Sequence, residues 1–408
     1  QYAGAYVISG CDWRIFMKKW GMAVLVVLFL SVAGGKTSVV YGNSFSEMDG
    51  QDVEEEQITK SMLQRIGASK VQDFLDKQEN LSDVSFSSLV IGILKGEEEI
   101  SPEKAGTWLK ETLFYELAET KGLFVQVLVI SIAFGILKNF TDVFDNSYIS
   151  ELCFVLVYSV LAVLLMRSFL VMSDLTKETI GTTVEFMRTL IPVYGMSMVF
   201  SNGTATAAAF YELTFIILYL VQWLLLSVLL PLVQIMIVFC FMNELLDGEK
   251  FEKMTELIEE GVRVTLKFVM SVVVGLNVIQ GLIQPAVDKF KNSMVSKTAS
   301  AIPGIGGSVR AVSEIIVSAG TLVKNSVGVA AMLLLFGICL FPLLKVGVMA
   351  FFYKLSAAVV EPVADKRIAE TMNGVCRGSV LLAKILLTSV LLFLLTIAMV
   401  TASTSFIY

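Results

Sequence analysis

The chain has 408 residues, of which 55% are hydrophobic and 17% charged, with a mean hydropathy of +0.75 and a formal net charge of −6. In a typical soluble domain about a quarter of the residues are charged, so this composition favours a membrane protein. The chain contains no histidine, which excludes Ser-His-Asp and Cys-His catalysis, HExxH zinc sites and haem ligation by histidine. Its five cysteines form no CxxC pair and predict neither a disulfide framework nor a zinc site.

The N-terminal part predicts a signal peptide and then an acidic segment. Met17-Lys18-Lys19 precede a short apolar region, Gly21 to Ala33, which together indicate a signal peptide over residues 17–42. We expect residues 1–16 to be an upstream extension outside the working protein; a cytoplasmic extension is the alternative. Residues 43–120 carry two glutamate triplets and helical periodicity, and they predict an acidic, extracytoplasmic helical segment. A solvated acidic face explains the glutamates better than metal binding.

Six long apolar runs follow and predict transmembrane helices. About 20 helical residues cross the roughly 30 Å hydrocarbon layer of a bilayer, and a buried core helix would explain one short run but not six long ones. None of the runs contains an aspartate, so intramembrane proteolysis by paired aspartates is excluded. The fold class predicted is all-α, a polytopic helical membrane protein. The runs are Gly122 to Leu137, Leu152 to Met172, Ala207 to Met242, Val264 to Ile283, Val327 to Phe352 and Ser379 to Val400.

Two proline motifs recur at one spacing and predict an internal repeat. "LIPVYG" and "AIPGIGG" contain Pro192 and Pro303, while "LLPLVQ" and "LFPLLK" contain Pro231 and Pro342. Both pairs are 111 residues apart, in a chain with only seven prolines. The pattern predicts two and a half repeats. Their ranges are 121–230 for repeat one, 231–341 for repeat two and 342–408 for a truncated third copy.

The repeat leads to a prediction of inverted topology. If each unit crosses the membrane three times, the copies are inverted and about eight segments follow the signal peptide. The apolar run 207–242 must then turn back at Pro231. Lysine and arginine mark the cytoplasmic side, which places the acidic connection 247–260 outside and the basic stretch 354–377 inside.

The IPxxG motifs are the candidate functional positions. Proline removes a hydrogen-bond donor and glycine permits unusual dihedrals, so both motifs predict a helix break. A nucleotide-binding loop would need a preceding strand and a GK[ST] ending, which are missing. Breaks at matching positions of inverted halves indicate a transport site; turns at the membrane interface are the alternative.

Polar residues near the breaks extend this site. Glu212 and Lys324 are predicted to pair inside the membrane, or else to reach opposite interfaces. No catalytic residue, cofactor or metal ligand is predicted. The candidate pathway or helix-break residues are Pro192, Gly195, Thr204, Thr206, Glu212, Pro303, Gly304, Gly306, Gly307, Lys324 and Asn325.

Five blocks of sequence resemble the stage III sporulation protein AE family of endospore-forming Firmicutes. The resemblance extends from Met17 to the C-terminus. It implies a multi-pass membrane protein of the mother-cell-derived outer forespore membrane, in a secretion-like apparatus linking the two cells and needed for late forespore development. The family supplies no catalytic residues to carry over. The blocks are "IPVYGMSMVFSNGTATAAAFYELT", "GLNVIQGLIQPAVD", "AIPGIGGSVRAVSEIIVSAGTLVKNSVGVAAM", "PLLKVGVMAFFYK" and "AAVVEPVADKRI".

The resemblance also implies partners and leaves two functions open. Expected partners are other proteins of the stage III operon, including a cytoplasmic secretion-type ATPase and ring proteins of the intermembrane space, together with lipid and further copies of the chain. No nucleic acid is expected. The chain is predicted to be a channel- or transporter-like core, or alternatively a scaffold that recruits partners through residues 43–119. An enzymatic function is not predicted.

Overall fold

The computed structural model describes residues 59–78, 81–95, 102–142, 147–202, 205–246, 250–299, 306–362 and 365–403. The predicted signal peptide, the extension 1–16 and both glutamate triplets lie outside these residues. Every regular element within them is helical, which confirms the all-α prediction. The helices are α1 Ala68–Leu75, α2 Phe86–Lys95, α3 Pro102–Asp142, α4 Ser147–Asn202, α5 (Ala205–Leu224, a π-helical turn Leu225–Leu229, and Leu230–Leu245), α6 Glu252–Ala299, α7 Gly306–Val360 and α8 Lys366–Ser403.

Five helices in the described part of the chain are long and apolar enough to cross a membrane, judged by length and composition. This agrees with a multi-pass helical membrane protein. The candidate spans lie in α4 to α8: Glu151–Val199, Leu213–Leu245, Glu252–Ile279, Gly320–Val360 and Lys366–Thr401.

Helix α8 forms the centre of the bundle. In its most apolar stretch 78% of the residues are buried, compared with 28% in α6, and α4, α5, α6 and α7 all pack against it. Lipid gives helices no hydrophobic reason to associate, so close packing and hydrogen bonds must hold them together. Gly374 and Gly378 provide the close packing on α8, and the buried Ser389 hydroxyl donates a 2.7 Å hydrogen bond to Gln222 Oε1 of α5.

The glycine at position 378 supports a direct test of this packing. A Cβ atom there would lie 3.0 Å from Phe169 Cε2 of α4 and even closer to Ile237 of α5. Overpacking typically costs about 1–3 kcal/mol, so we expect Gly378→Val to lower the thermal midpoint of the purified protein. Gly337→Val is the matched control, because open space surrounds Gly337. Equal midpoints for the two variants would contradict the close approach of α8 to its neighbours.

Contacts near both ends of α8 show which helices run parallel to it. Along α4, Tyr158 lies against Thr371 (3.2 Å) and Tyr194 against Thr401 (2.7 Å). Residue numbers therefore increase in the same direction along α4 and α8, so these two helices are parallel. The same holds for α6, whose Glu259 and Asn277 contact Arg377 (3.9 Å) and Thr396 (3.1 Å), respectively. Helices α4, α6 and α8 run in one direction.

The remaining long helices run in the opposite direction. On α7, Cys339 lies 3.3 Å from Thr183 of α4, while Tyr353 hydrogen-bonds Ser168 further back along α4. Helix α3 is parallel to α7 and α5 is antiparallel to α4. The contacts that establish this are Glu116–Lys345 (3.8 Å), Phe124–Phe352 (5.0 Å between ring centroids), Tyr158–Phe241 (2.9 Å) and Ser173–Gln234 (2.8 Å).

The alternating directions contradict the predicted inverted topology. A step of 111 residues takes Pro231 in α5 to Pro342 in α7, and these two helices run the same way. Residues related by this spacing therefore lie two helices apart, in helices that run in the same direction. A unit that crosses the membrane three times would place them in helices that run in opposite directions. The predicted repeat boundaries at 230/231 and 341/342 fall within α5 and α7.

Helix α5 also shows why the apolar run 207–242 does not turn back. The chain stays helical through Pro231, and a π-helical turn, Leu225–Leu229, directly precedes it. The ring of a proline clashes with the carbonyl group four residues earlier, which here belongs to Ser227 in the wider π-helical turn. The prediction of two crossings in this run is wrong, and with it the count of eight membrane segments.

One ion pair corrects the predicted sides of two connections. Arg377 Nη1 lies 3.9 Å from Glu259 Oε2, so the beginnings of α6 and α8 are at the same end of the bundle, which we call the Arg377 end. The α5–α6 and α7–α8 connections both lie there, although the charge pattern had placed them on opposite sides. We call the other end, where α4 meets the end of α8, the Thr401 end.

The described N-terminal helices pack onto the side of the bundle. Gln72 of α1 joins them, because its Oε1 accepts from the Phe86 backbone N–H (2.8 Å) and its Nε2 donates to the Val84 carbonyl (3.2 Å). Phe74 packs near Phe186 of α4, with ring centroids 5.5 Å apart, and α2 packs against α7. We call the described residues 59–78 and 81–95 the N-terminal module, which includes helices α1 and α2.

Candidate functional site

The first IPxxG motif does not interrupt its helix. Helix α4 continues through Pro192 to Asn202, contrary to the predicted break. The turn after the proline is anchored by buried Val193 and by Tyr194, whose hydroxyl lies 2.7 Å from Thr401 Oγ1. Membrane helices tolerate an internal proline when neighbouring helices stabilise them in this way. Pro192 itself is exposed and Gly195 faces open space.

The second motif lies mostly outside the described residues. This applies to Pro303 and Gly304, while Gly306 and Gly307 begin α7. Thr204 also lies outside them. Thr206 and Glu212 belong to α5, but the structure does not describe their side chains. The predicted Glu212–Lys324 pair therefore stays a prediction.

The structure brings the first motif close to Lys324. The Lys324 side chain is fully buried in α7, and Asn325 beside it is half-buried. One turn further along, Gly328 lies against Tyr194 and Thr401. Helices α4, α7 and α8 thus meet at the Thr401 end, one turn from Lys324.

The central level of the bundle can be located from the candidate span of α7 and from the apolar run of α8, Ser379 to Val400. Between Gly378 and Thr401, α8 rises by ~35 Å, close to the thickness of a hydrocarbon layer. These two residues contact Phe169 and Tyr194 of α4. Thr183, between them on α4, lies 3.3 Å from Cys339 near the middle of the Gly320–Val360 span. A bilayer centred on α7 and α8 therefore has the α4 segment around Thr183 at its centre.

This central segment of α4 carries charges on its exposed side. The charged residues repeat every three, four or seven positions and so share one helical face. On the opposite face, buried hydroxyls such as Thr176 and Thr183 bond the carbonyls four residues earlier. We call the exposed face the α4 charged stripe; it consists of Asp174, Lys177, Glu178, Gly181, Glu185 and Arg188.

Other surfaces at similar depth are apolar. Helix α5 exposes Ile216, Leu220 and Trp223, and α6 exposes Val264 and Phe268. Trp223 follows Gln222, which bonds Ser389 in the middle of α8. Exposed apolar side chains at this level suit contact with lipid, whereas a charge at the bilayer centre costs about 2.5–3.5 kcal/mol on insertion scales. The α4 charged stripe therefore needs water or protein beside it.

A buried ion pair lies near the same level. Lys345 of α7 approaches Glu116 of α3, with Nζ 3.8 Å from Oε2. Along α7, Lys345 falls between the two residues that contact Thr183 and Ser168 of α4. The Glu116 side chain is fully buried, and that of Lys345 is 22% exposed. Polar groups of α3 and α4 thus lie level with the apolar middle of α8.

Sequence reasoning missed the α4 charged stripe. The apolar runs predict a span that ends at Met172 and another that begins at Ala207, so the charges between these runs are not expected inside the membrane. Its signal was the spacing of charges, from Asp174 to Arg188 on one face, opposite hydroxyl and apolar residues on the other. In the part of the chain that the structure describes, no group of three metal-ligating side chains is placed to hold a metal ion.

These features define a polytopic helical membrane protein with a charged face at the depth of its apolar core. The family model of stage III sporulation protein AE (spore_III_AE) matches residues 84–404, and the chain belongs to this family. Stage III sporulation protein AE of Bacillus subtilis (strain 168) is 24% identical over 389 residues, covering 93% of this chain and 96% of the relative. No solved structure matches the chain. The family assignment gives the protein a role in sporulation, with partners in the same sporulation system.

Proposed function

We propose that the protein is a membrane component of the apparatus that links mother cell and forespore, and that it is the channel- or transporter-like core of a secretion-like complex. Its membrane is the mother-cell-derived outer forespore membrane, and its partners include a cytoplasmic secretion-type ATPase and ring proteins of the intermembrane space. Family membership supports the role in sporulation. Five apolar helices support the membrane location.

The α4 charged stripe is the observation that carries this proposal. Ionisable residues inside a membrane protein usually face a water-filled cavity or the bundle interior, and they mark the path of ions or substrates. Here they occur in a helix that packs against the central α8. A polar passage running along α4 explains why this segment retains charges where α5 and α6 expose apolar side chains.

Two of the candidate residues, Pro192 and Lys324, lie near one mouth of the proposed passage. Arg188, the last residue of the α4 charged stripe, is one turn before Pro192. Buried Lys324 lies one turn from the contact of Gly328 with Tyr194. If α3 begins on the extracytoplasmic side, as the signal peptide predicts, this mouth opens into the intermembrane space, because α3 runs parallel to α7 and α7 begins at the Thr401 end. The Arg377 end then faces the mother-cell cytoplasm.

A scaffold is the second candidate function. The contact between Phe74 and Phe186 seats the N-terminal module directly on α4, within one turn of Glu185. In this alternative, a partner protein recruited through the module covers the charges, and no passage exists. The two functions differ in whether water reaches the α4 charged stripe in the assembled complex.

Water access can be measured with single cysteines in sporulating cells, on a background without the native cysteines. We expect Glu178→Cys to react with a small, water-soluble thiosulfonate, because only a hydrated thiol ionises and reacts quickly. Trp223→Cys is the matched control at a similar depth, where the exposed side chain faces lipid, and it should react at least tenfold more slowly. Protection of both positions would reject the passage and favour the scaffold.

A further inference from the structure

We infer that the α4 charged stripe faces further copies of this chain, so that the passage forms between copies; this rests on the proposed function. The stripe lies on the outer surface of its own bundle, where all six of its residues are exposed. A surface on the outside of one bundle cannot enclose a passage by itself. Closing the charges off from lipid therefore requires protein from outside the described part of the chain.

The charge pattern favours a second copy as that protein. The stripe alternates in sign, with Asp174, Glu178 and Glu185 set among Lys177 and Arg188. Within the described residues, no ion pair within 4.0 Å involves these three carboxylates. A symmetric assembly brings the same surface of two subunits together and needs a self-complementary patch. A stripe of both signs satisfies this condition, whereas a stripe of one sign would repel its copy.

Gly181 provides the place where two copies of α4 can approach closely. It is exposed in the middle of the stripe, and a Cβ built on it meets nothing within 4 Å. Small residues at such positions let membrane helices approach closely. Two helices that cross at Gly181 diverge on either side of the crossing point, so Glu178 and Glu185 border the space between the copies. Water in that space hydrates their carboxylates.

Cross-linking between copies tests this arrangement in the full-length protein. Two differently tagged copies carrying Lys177→Cys are expressed together in sporulating cells and treated with a short bis-thiosulfonate. We expect a covalent dimer carrying both tags from Lys177→Cys, and at least fivefold less from the lipid-facing control Trp223→Cys. No dimer at Lys177→Cys would overturn the inference.

A second substitution shows whether the contact depends on close helix approach. Gly181→Leu fills open space and should leave the thermal midpoint of the protein unchanged, while reducing the Lys177→Cys dimer at least fivefold. Gly275→Leu on α6 is the matched control, since Gly275 also faces open space, and it should leave the dimer intact. A dimer unaffected by Gly181→Leu would overturn the crossing at this residue.

The outcomes separate this inference from the proposed function. If Glu178→Cys reacts with the water-soluble reagent but Lys177→Cys gives no dimer, the passage stands and does not form between copies. If Lys177→Cys gives the dimer while Glu178→Cys is protected, the copies associate through α4 but enclose no water.

Discussion

Replacing Lys345 by methionine should destabilise the folded protein by about 3–5 kcal/mol, the usual cost of removing one member of a buried ion pair. Lys345 Nζ lies 3.8 Å from Glu116 Oε2, and the Glu116 side chain is fully buried. The substitution therefore removes a cation from beside a buried carboxylate. The measurement is the temperature at which buried Cys240, Cys339 and Cys376 become accessible to a thiol-reactive dye.

Two comparisons make this result specific to the pair. Glu116→Gln combined with Lys345→Met removes both charges and should restore most of the lost stability. Lys253→Met removes the cation of an exposed pair with Glu256, for which about 0–1 kcal/mol is typical. An unchanged midpoint for Lys345→Met would show that Glu116 does not depend on this lysine.

Single cysteines at Lys250 and Glu361 should be labelled from the same side of the membrane. Both residues are exposed at the Arg377 end, in the α5–α6 and α7–α8 connections. The ion pair of Glu259 with Arg377 holds the beginnings of α6 and α8 together there. A cysteine at Ala299, the last residue of α6, should be labelled from the opposite side. The readout is modification of each cysteine by a membrane-impermeant maleimide, before and after the membrane is permeabilised. A cysteine on the far side of the membrane should be modified only after permeabilisation.

The inverted arrangement gives the opposite result for the first pair. If Lys250→Cys and Glu361→Cys are labelled from different sides, α5 and α7 do not run in the same direction. Labelling of Ala299→Cys from the same side as Lys250→Cys would show that α6 does not cross the membrane.

The sequence predicted the fold class correctly because apolar runs carry a strong signal. Each candidate span overlaps one of the predicted runs, and hydropathy depends little on tertiary contacts. The error in topology came from Pro231, because the repeat pattern predicts that the apolar run turns back at this proline. A π-helical turn, Leu225–Leu229, accommodates the ring, and no composition rule anticipates such a turn. The turn predicted at Pro231 raised the expected number of helices per repeat from two to three. It also reversed the expected direction of every later copy.

The candidate site was less accessible to sequence reasoning. Lys324 is predicted from its position after the second IPxxG motif, and the structure places this buried residue near the first motif. The depth of Asp174 to Arg188 depends on contacts such as Thr183–Cys339, which pair residues 156 positions apart. Hydropathy places these charges outside the membrane, because it treats each segment alone. The stagger of α4 against α7 and α8 is a property of the packed bundle.

The alternating directions of the helices have a consequence for how such a chain can grow. If 111 residues correspond to one antiparallel pair of helices, gaining or losing a whole pair leaves the sidedness of everything downstream unchanged. A unit of three crossings would reverse all later segments each time it was duplicated. A two-helix unit therefore lets a gene lengthen or shorten without moving the connections between the remaining helices to the other side of the membrane.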